Sequence, residues 1–293
     1  MSPRPEILEF YRRQSRMSDP GPHAAAIAAL PADPAALARA LHGLILHEHW
    51  SGAYGQKLSD QRRAEVHLRT LPAMIDQILV HDSRPLTEAR ALEDRLIGNC
   101  RDFTLFSVAA LRAHGVPARA RCGFGAYFER GKFVDHWVAE IWRADEARWP
   151  RADAQIDDFQ ASRLRPDFPL LDVPANRFLT GGEAWRACRA GEADPATFGI
   201  MDMCGWWFIA SDLVRDTAAL AGVEMLPWDD WGAMPQPGDA IGEDALAWFD
   251  HLAALSTDPD AAFDEIQALN RTDERQAVPP VVFNAVRQRQ ETV

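Results

Sequence analysis

The stretch GNCRDFTLFSVAALRAHGVPAR, residues 98–119, decides the fold. Residues 100–114 are apolar over most of a helical surface, and Gly115 with Pro117 just beyond is a helix-stop signal. A helix that is apolar nearly all round is buried on most sides. It opens on Asn99, a suitable N-cap, with Gly98 giving the chain room to turn in. Cys100 therefore stands in the first turn, where a thiol feels the positive end of the helix dipole and the unpaired backbone N–H groups. Both favour the thiolate, which is the nucleophilic form. The same N–H groups can receive an oxyanion developing on an attacked carbonyl.

Strand signals follow directly. Residues 118–128 (ARARCGFGAYF) alternate small or apolar residues with arginine. Gly131-Lys132 marks a turn, and residues 133–142 (FVDHWVAEIW) are rich in β-branched and aromatic types. Asp145-Glu146 turns the chain again before residues 148–153 (RWPRAD), a short third strand or its end. The order is helix, strand, strand, strand. His136 on the second strand is the candidate partner of Cys100: an imidazolium beside a thiolate lowers the thiol pKa and later protonates a leaving group. A carboxylate must hold that imidazole in one orientation. Asp153 is the natural candidate, and Asp157 is its local rival.

Three blocks in this region resemble the transglutaminase-like superfamily as found in its bacterial members. Gly98-Asn99-Cys100 closed by Gly115-Val116-Pro117-Ala118-Arg119 is the first, His136-Trp137-Val138-Ala139-Glu140 the second, and Trp149 with Asp153 the third. The resemblance covers about 60 residues, a fifth of the chain. It implies an α+β, papain-like/transglutaminase-like core with the cysteine helix packed on an antiparallel sheet, additional helices around it, and a Cys100–His136–Asp153 triad. It also implies acyl-transfer or amide-cleaving chemistry through a thioester, on a peptide or small-molecule amide. The chain departs from the calcium-dependent animal enzymes, since no calcium loop is evident. Trp50 and Tyr54, upstream of the cysteine, are candidates for the second oxyanion donor or the cleft wall that a papain-like fold takes from upstream.

The rest of the chain supplies context. With 47% hydrophobic residues over 293 positions, it can bury a core without metal or disulfide staples. A net charge of −12 argues against nucleic acid as a partner. No stretch approaches a membrane span, and residues 1–16 lack the apolar run of a secretory signal. The four cysteines have neither metal-like nor disulfide-framework spacing, so a reducing, cytoplasmic setting and no cofactor are expected. The oligomeric state is not legible. No boundary stands out, and the pattern reads as one elaborated domain: a core over about residues 87–158, a helical segment 1–86 before it, and a helical and loop extension 159–293 after it.

Helices are expected over residues 33–49 (capped by Asp33, with Pro34 at its first position), 61–81 (interrupted near Pro72), 87–97, 182–190, 205–221 and 244–269, after a leader helix within residues 1–20. Asp102 reads as an exposed first-turn acid or a salt-bridge partner for Arg119 or Arg121, which share a strand face expected to be solvated. Cys122, Cys188 and Cys204 read as packing residues, Cys122 being the near candidate for a resolving thiol in a redox alternative. His47 and His49 are a weak metal signal. Trp206, Trp207, Trp228 and Trp231 read as core or interface, with Asp229 and Asp230 as acids for a cleft that takes a cationic or amide substrate. A non-catalytic scaffold that keeps the fold is the rival to an enzyme.

Overall fold

The computed structural model of the protein describes residues 3–293. Its elements are α1 (Pro5–Arg12), α2 (Ala24–Ala28), α3 (Pro34–His42), β1 (Ile45–His47), α4 (Asp60–Arg63), α5 (Leu71–His81), β2 (Leu96–Gly98), α6 (Cys100–Ala113), β3 (Ala118–Gly125), β4 (Phe133–Ile141) and β5 (Arg151–Ala152). There follow α7 (Asp158–Leu164), β6 (Phe178–Thr180), α8 (Gly181–Arg189), β7 (Phe198–Ile200), β8 (Met203–Cys204), α9 (Trp206–Leu220), β9 (Asp229–Asp230), α10 (Glu243–Thr257), α11 (Phe263–Thr272), β10 (Val281–Asn284) and β11 (Arg289–Thr292). The main sheet runs β6-β3-β4-β7-β8, with β5 beside β4. Among the described residues no helix is long and apolar enough to cross a membrane.

The chain divides into two compact units, residues 1–119 with 138–173, and residues 120–137 with 174–293. Strands β3 and β4 each run through both.

In the first unit α6 is the central helix, packed by α1, α2 and α3. Every residue from Cys100 to Arg112 is buried, as its all-round apolar surface requires. The one arginine in its last turn is satisfied by polar partners: Arg112 Nε donates to the carbonyls of Ala118 (2.9 Å) and Tyr11 (3.2 Å), and Nη1 to Ser18 Oγ (3.0 Å). Gly115 ends the helix in the left-handed conformation, at φ 76°. Asp33 caps α3 by accepting from the Ala36 amide at 2.8 Å.

Three helical expectations change in this unit. The helix over residues 33–49 ends at His42, and the chain then extends into β1, which pairs in parallel with β2. The helix over 61–81 breaks after a 3-10 turn at Ala64–His67; Pro72 lies in the first turn of α5, where the missing N–H costs nothing, so it starts a helix rather than interrupting one. Residues 87–97 form turns, a single 3-10 turn and β2. The segment bonds outward instead: the Arg90 amide donates to the Gly43 carbonyl at 2.8 Å and the Leu96 amide to the Leu44 carbonyl at 2.9 Å, while the buried Arg90 guanidinium gathers the carbonyls of Asp82, Arg84, Pro85 and Glu88.

In the second unit α8, α9 and α10 pack against one another. Thr180 and Glu183 cap α8 reciprocally. A Cβ at Gly181 would stand 2.6 Å from the Leu213 backbone, so only glycine lets α8 approach α9 this closely. Arg121 of β3 is buried; it donates to both carboxylate oxygens of Asp216 on α9 (2.9 and 2.8 Å) and to the Ser256 carbonyl of α10 (2.9 Å). The final helical region is two helices, α10 and α11, and a β9-β10-β11 sheet closes the chain. Helix α7 and strands β6 to β11 lie in stretches whose polarity and turn residues hid them.

Candidate active site

Cys100 is the first residue of α6 and is buried. Asn99 and Asp102 form a capping box around it: the Asn99 side chain accepts from the Arg101 amide at 3.0 Å, and Asp102 Oδ2 accepts from the Asn99 amide at 3.0 Å. The cap engages first-turn N–H groups, which narrows the set able to receive an oxyanion. Asp102 is thus a buried capping acid ion-paired with Arg101 at 3.1 Å, contrary to the expected exposed one. Burial pushes its carboxyl up, while the Arg101 cation pulls it down.

The approach to Cys100 is set by the β1–β2 pair. His47 lies opposite Gly98 in the parallel register, so the two strands end side by side. A Cβ at Gly98 would stand 2.9 Å from both Asp102 Oδ2 and Ile45 Cγ2, so glycine is required where strand turns into helix. Glu65 braces the outer side of β2: its Oε2 accepts from the Ile97 amide at 2.8 Å, and its Oε1 lies 2.8 Å from His81 Nε2 and 2.7 Å from Arg62 Nε. The 3-10 segment Glu48–Tyr54 leaves from the end of β1. Its first residue, Glu48, is pushed up to about 7 by burial and then by the Asp102 carboxylate, with Arg63 opposing. Neither Glu48 nor Glu65 has a motif around it; only the strand register reveals them.

Asp153 directly follows β5 and is buried. Its amide donates to the Leu170 carbonyl at 2.7 Å, and its Oδ1 accepts from the Gln155 amide at 3.0 Å. His42 fixes the next peptide, its Nε2 donating to the Ala154 carbonyl at 2.9 Å; burial holds that imidazole below its ordinary pKa, in the neutral form. The register Ala139↔Ala152, continued by one residue, sets Asp153 opposite Val138. Asp157 has a different post. It caps α7 by accepting from the Gln160 amide at 2.9 Å, and it accepts the Tyr54 hydroxyl at 2.6 Å. Tyr54 also packs on Phe159, so its hydroxyl points to α7. Trp50 is half-buried in the 48–54 segment.

His136 lies on β4 within the second unit and is buried. Three aromatic rings surround its imidazole there: Phe128 at 4.7 Å, Tyr127 at 6.0 Å and Phe178 at 6.3 Å between centroids.

Other expectations are corrected. Arg119 and Arg121 are buried, because each has a buried carboxylate: Arg119 Nε donates to Glu140 at 2.7 Å and its guanidinium stacks over Trp149, while Arg121 takes Asp216. Trp149 of the third block thus anchors this arginine. Cys204 is exposed on β8 instead of packed in a helix, while Cys122 and Cys188 are buried as expected. Burial raises the Cys122 thiol well above its ordinary pKa, the reverse of what a resolving thiol needs. His47 ends β1 and caps the 3-10 segment in which His49 lies, the His49 amide donating to His47 Nδ1 at 3.2 Å, so the pair does not sit on one α-helix. Asp229 is buried, its side chain accepting from the Leu226 amide, and Asp230 is half-buried; Arg215 donates to the Asp229 carbonyl and to Asp230 Oδ1.

Residues 79–154 match the family model of the transglutaminase-like superfamily. This segment, from the end of α5 to just past β5, contains Cys100, His136 and Asp153. The match covers about a quarter of the chain, and around it the protein mixes helices and sheets in an α+β arrangement. At the level of the family, the match supports a cysteine-dependent enzyme. The curated proteins contain no match to the chain. Among solved structures, a candidate cysteine protease from Cytophaga hutchinsonii is similar at 15% identity and a TM-score of 0.34, over 60% of this chain and 46% of that one. The chain thus matches less than half the length of that protein.

Proposed function

We propose that the protein is a cysteine-dependent acyl-transfer or amide-cleaving enzyme with Cys100 as nucleophile, His136 as acid and base, and Asp153 as the group that orients His136. The observation that carries this reading is the setting of Cys100. It stands in the first turn of a buried helix, inside the segment that matches the superfamily, behind a strand pair whose ends are fixed by Gly98 and Glu65. A helix start of this kind favours thiolate.

In the proposed reaction the Cys100 thiolate adds to a carboxamide carbon, and the oxyanion is held by backbone N–H near the helix start. The imidazolium of His136 gives its proton to the departing amine as the C–N bond breaks, leaving a thioester. Water or a second amine then attacks the thioester, with neutral His136 taking its proton, and the thiolate is restored. The substrate is a peptide or small-molecule amide, and no cofactor is needed. Asp153 fits the orienting role better than Asp157, because both oxygens of Asp157 already serve Gln160 and Tyr54. Of the two upstream candidates, Trp50 is the better one for the cleft, since the Tyr54 hydroxyl is engaged by Asp157.

Alkylation by iodoacetamide tests this. Cys100 is expected to react fast and almost independently of pH near neutrality, and Cys100→Ala to abolish an acyl adduct trapped from an amide mixture. Ordinary thiol behaviour of Cys100, with no adduct, returns the protein to the scaffold reading.

A further inference from the structure

In the second unit, on the side of β4 opposite His136 by strand alternation, three ligand-type side chains converge. Cys122 of β3, Asp135 of β4 and Asp212 of α9 bring a sulfur and two carboxylate oxygens within 4.8 Å of one another, all buried. Asp135 Oδ1 and Asp212 Oδ2 are buried and unpartnered by any N–H group, and the three side chains of the cluster interact with one another and with Arg215 around that point. A buried carboxylate oxygen without a donor is costly. Something positive belongs between them.

We propose that Cys122, Asp135 and Asp212 bind one divalent transition-metal ion of the zinc class. The donor set selects the ion: thiolate is a poor ligand for calcium or magnesium, which take oxygen, and a good one for zinc or cobalt. Tetrahedral donors stand roughly 3.5 Å apart around such an ion, so from separations of up to 4.8 Å a closing motion of at most about 1.3 Å seats it. The surroundings have the form of an outer shell. Arg215 Nη1 donates to Asp212 Oδ1 at 3.2 Å, which aims Oδ2 at the site, and the Cys122 amide is fixed by Asp216 Oδ1 at 2.9 Å. A thiolate and two carboxylates are balanced in charge by the dication and Arg215.

Of the other charges nearby, Asp216 pairs with Arg121, Arg215 is shared with the half-buried Asp230, and the imidazole of His136, next in sequence to Asp135, acts on its carboxyl. The three residues come from distant parts of the sequence, so no spacing motif announces them. The role is to pin β3 and β4 to α9.

The test is titration of the full chain with Co²⁺, read by its visible bands and the thiolate charge-transfer absorbance, together with thermal melting. One ion per chain, a sulfur signal and a higher Tm are expected. Asp135→Asn and Asp212→Asn are expected to weaken binding by more than about tenfold. Cys122→Ser abolishes the charge-transfer band and the metal-dependent rise in Tm, while Cys204→Ser, which removes the exposed thiol, leaves both. If the wild type takes up no Co²⁺ or Zn²⁺ and Asp135→Asn is as stable or more so, the carboxyls merely share a proton and the proposal is overturned. Binding undiminished in a folded Asp212→Asn chain, or lost in Cys204→Ser, overturns it equally.

Discussion

The Tyr54 hydroxyl donates to Asp157 Oδ2 at 2.6 Å, tying the segment after β1 to the start of α7. With Oδ1 of the same carboxylate capping that helix, Asp157 is a structural acid, and this separates it from Asp153 four residues earlier. Asp157→Ala is expected to leave turnover within about threefold while losing about 1–2 kcal/mol of stability through the cap. Asp153→Asn is expected to lower turnover by up to about 10⁴-fold with little change in Tm. Kinetics on the trapped substrate and melting curves of both variants decide it; the reverse pattern transfers the orienting role to Asp157.

Glu65 holds the buried strand β2 through the Ile97 amide, and β2 leads into Cys100. Glu65→Ala leaves the Ile97 amide without its acceptor and Arg62 and His81 without their carboxylate. A loss of about 3–5 kcal/mol is expected from breaking such a buried arrangement. Glu65→Gln keeps an acceptor for Ile97 and loses less. Urea unfolding of the two variants ranks them, and equal losses would mean that the backbone contact does not matter.

Glu48 gives a pH signature. Its folded-state pKa of about 7 lies above the ordinary 4.5, so its contribution to stability is fully present below 4.5 and is lost as pH rises through about 7. Between about pH 5 and 8 the wild type is expected to lose more Tm than Glu48→Gln, whose amide is neutral throughout. Parallel Tm–pH curves for the two proteins would show that the carboxyl is not the source.

The Arg121–Asp216 pair should be costly to break and cheaper to remove whole. Arg121→Met strands a buried carboxylate and is expected to cost about 3–5 kcal/mol, and adding Asp216→Asn should restore part of it. A double-mutant cycle by chemical denaturation measures the coupling. Additive losses would show that the two side chains do not depend on each other.

The legible part of this protein was the part whose signals are local. Helix α6, with its cap at Asn99 and stop at Gly115, and strands β3 and β4 follow from apolar periodicity and turn residues within a few positions. The family resemblance of the Cys100, His136 and Trp149–Asp153 blocks is matched by the family model over residues 79–154. What escaped is set by distant partners. Arg121 looks like a surface residue until Asp216, 95 positions away, supplies a buried carboxylate. Residues 87–97 have a helical pattern, yet Arg90 gathers the neighbouring carbonyls and the parallel pairing of β1 with β2 takes the rest. Cys122, Asp135 and Asp212 meet only once β3, β4 and α9 are assembled.

The path of the chain through its two compact units also limits how the protein can be dissected. Each unit is made of two separate stretches of sequence, the crossings falling inside β3, inside β4 and after Val173. No single cut therefore releases an intact half. A fragment trimmed to residues 79–154 would carry all three residues of the proposed triad while leaving behind α1, α2 and α3, the helices that bury α6. Domain-swap libraries and minimal expression clones should keep the chain whole, and nicks introduced at the β3–β4 turn are the gentler way to probe it.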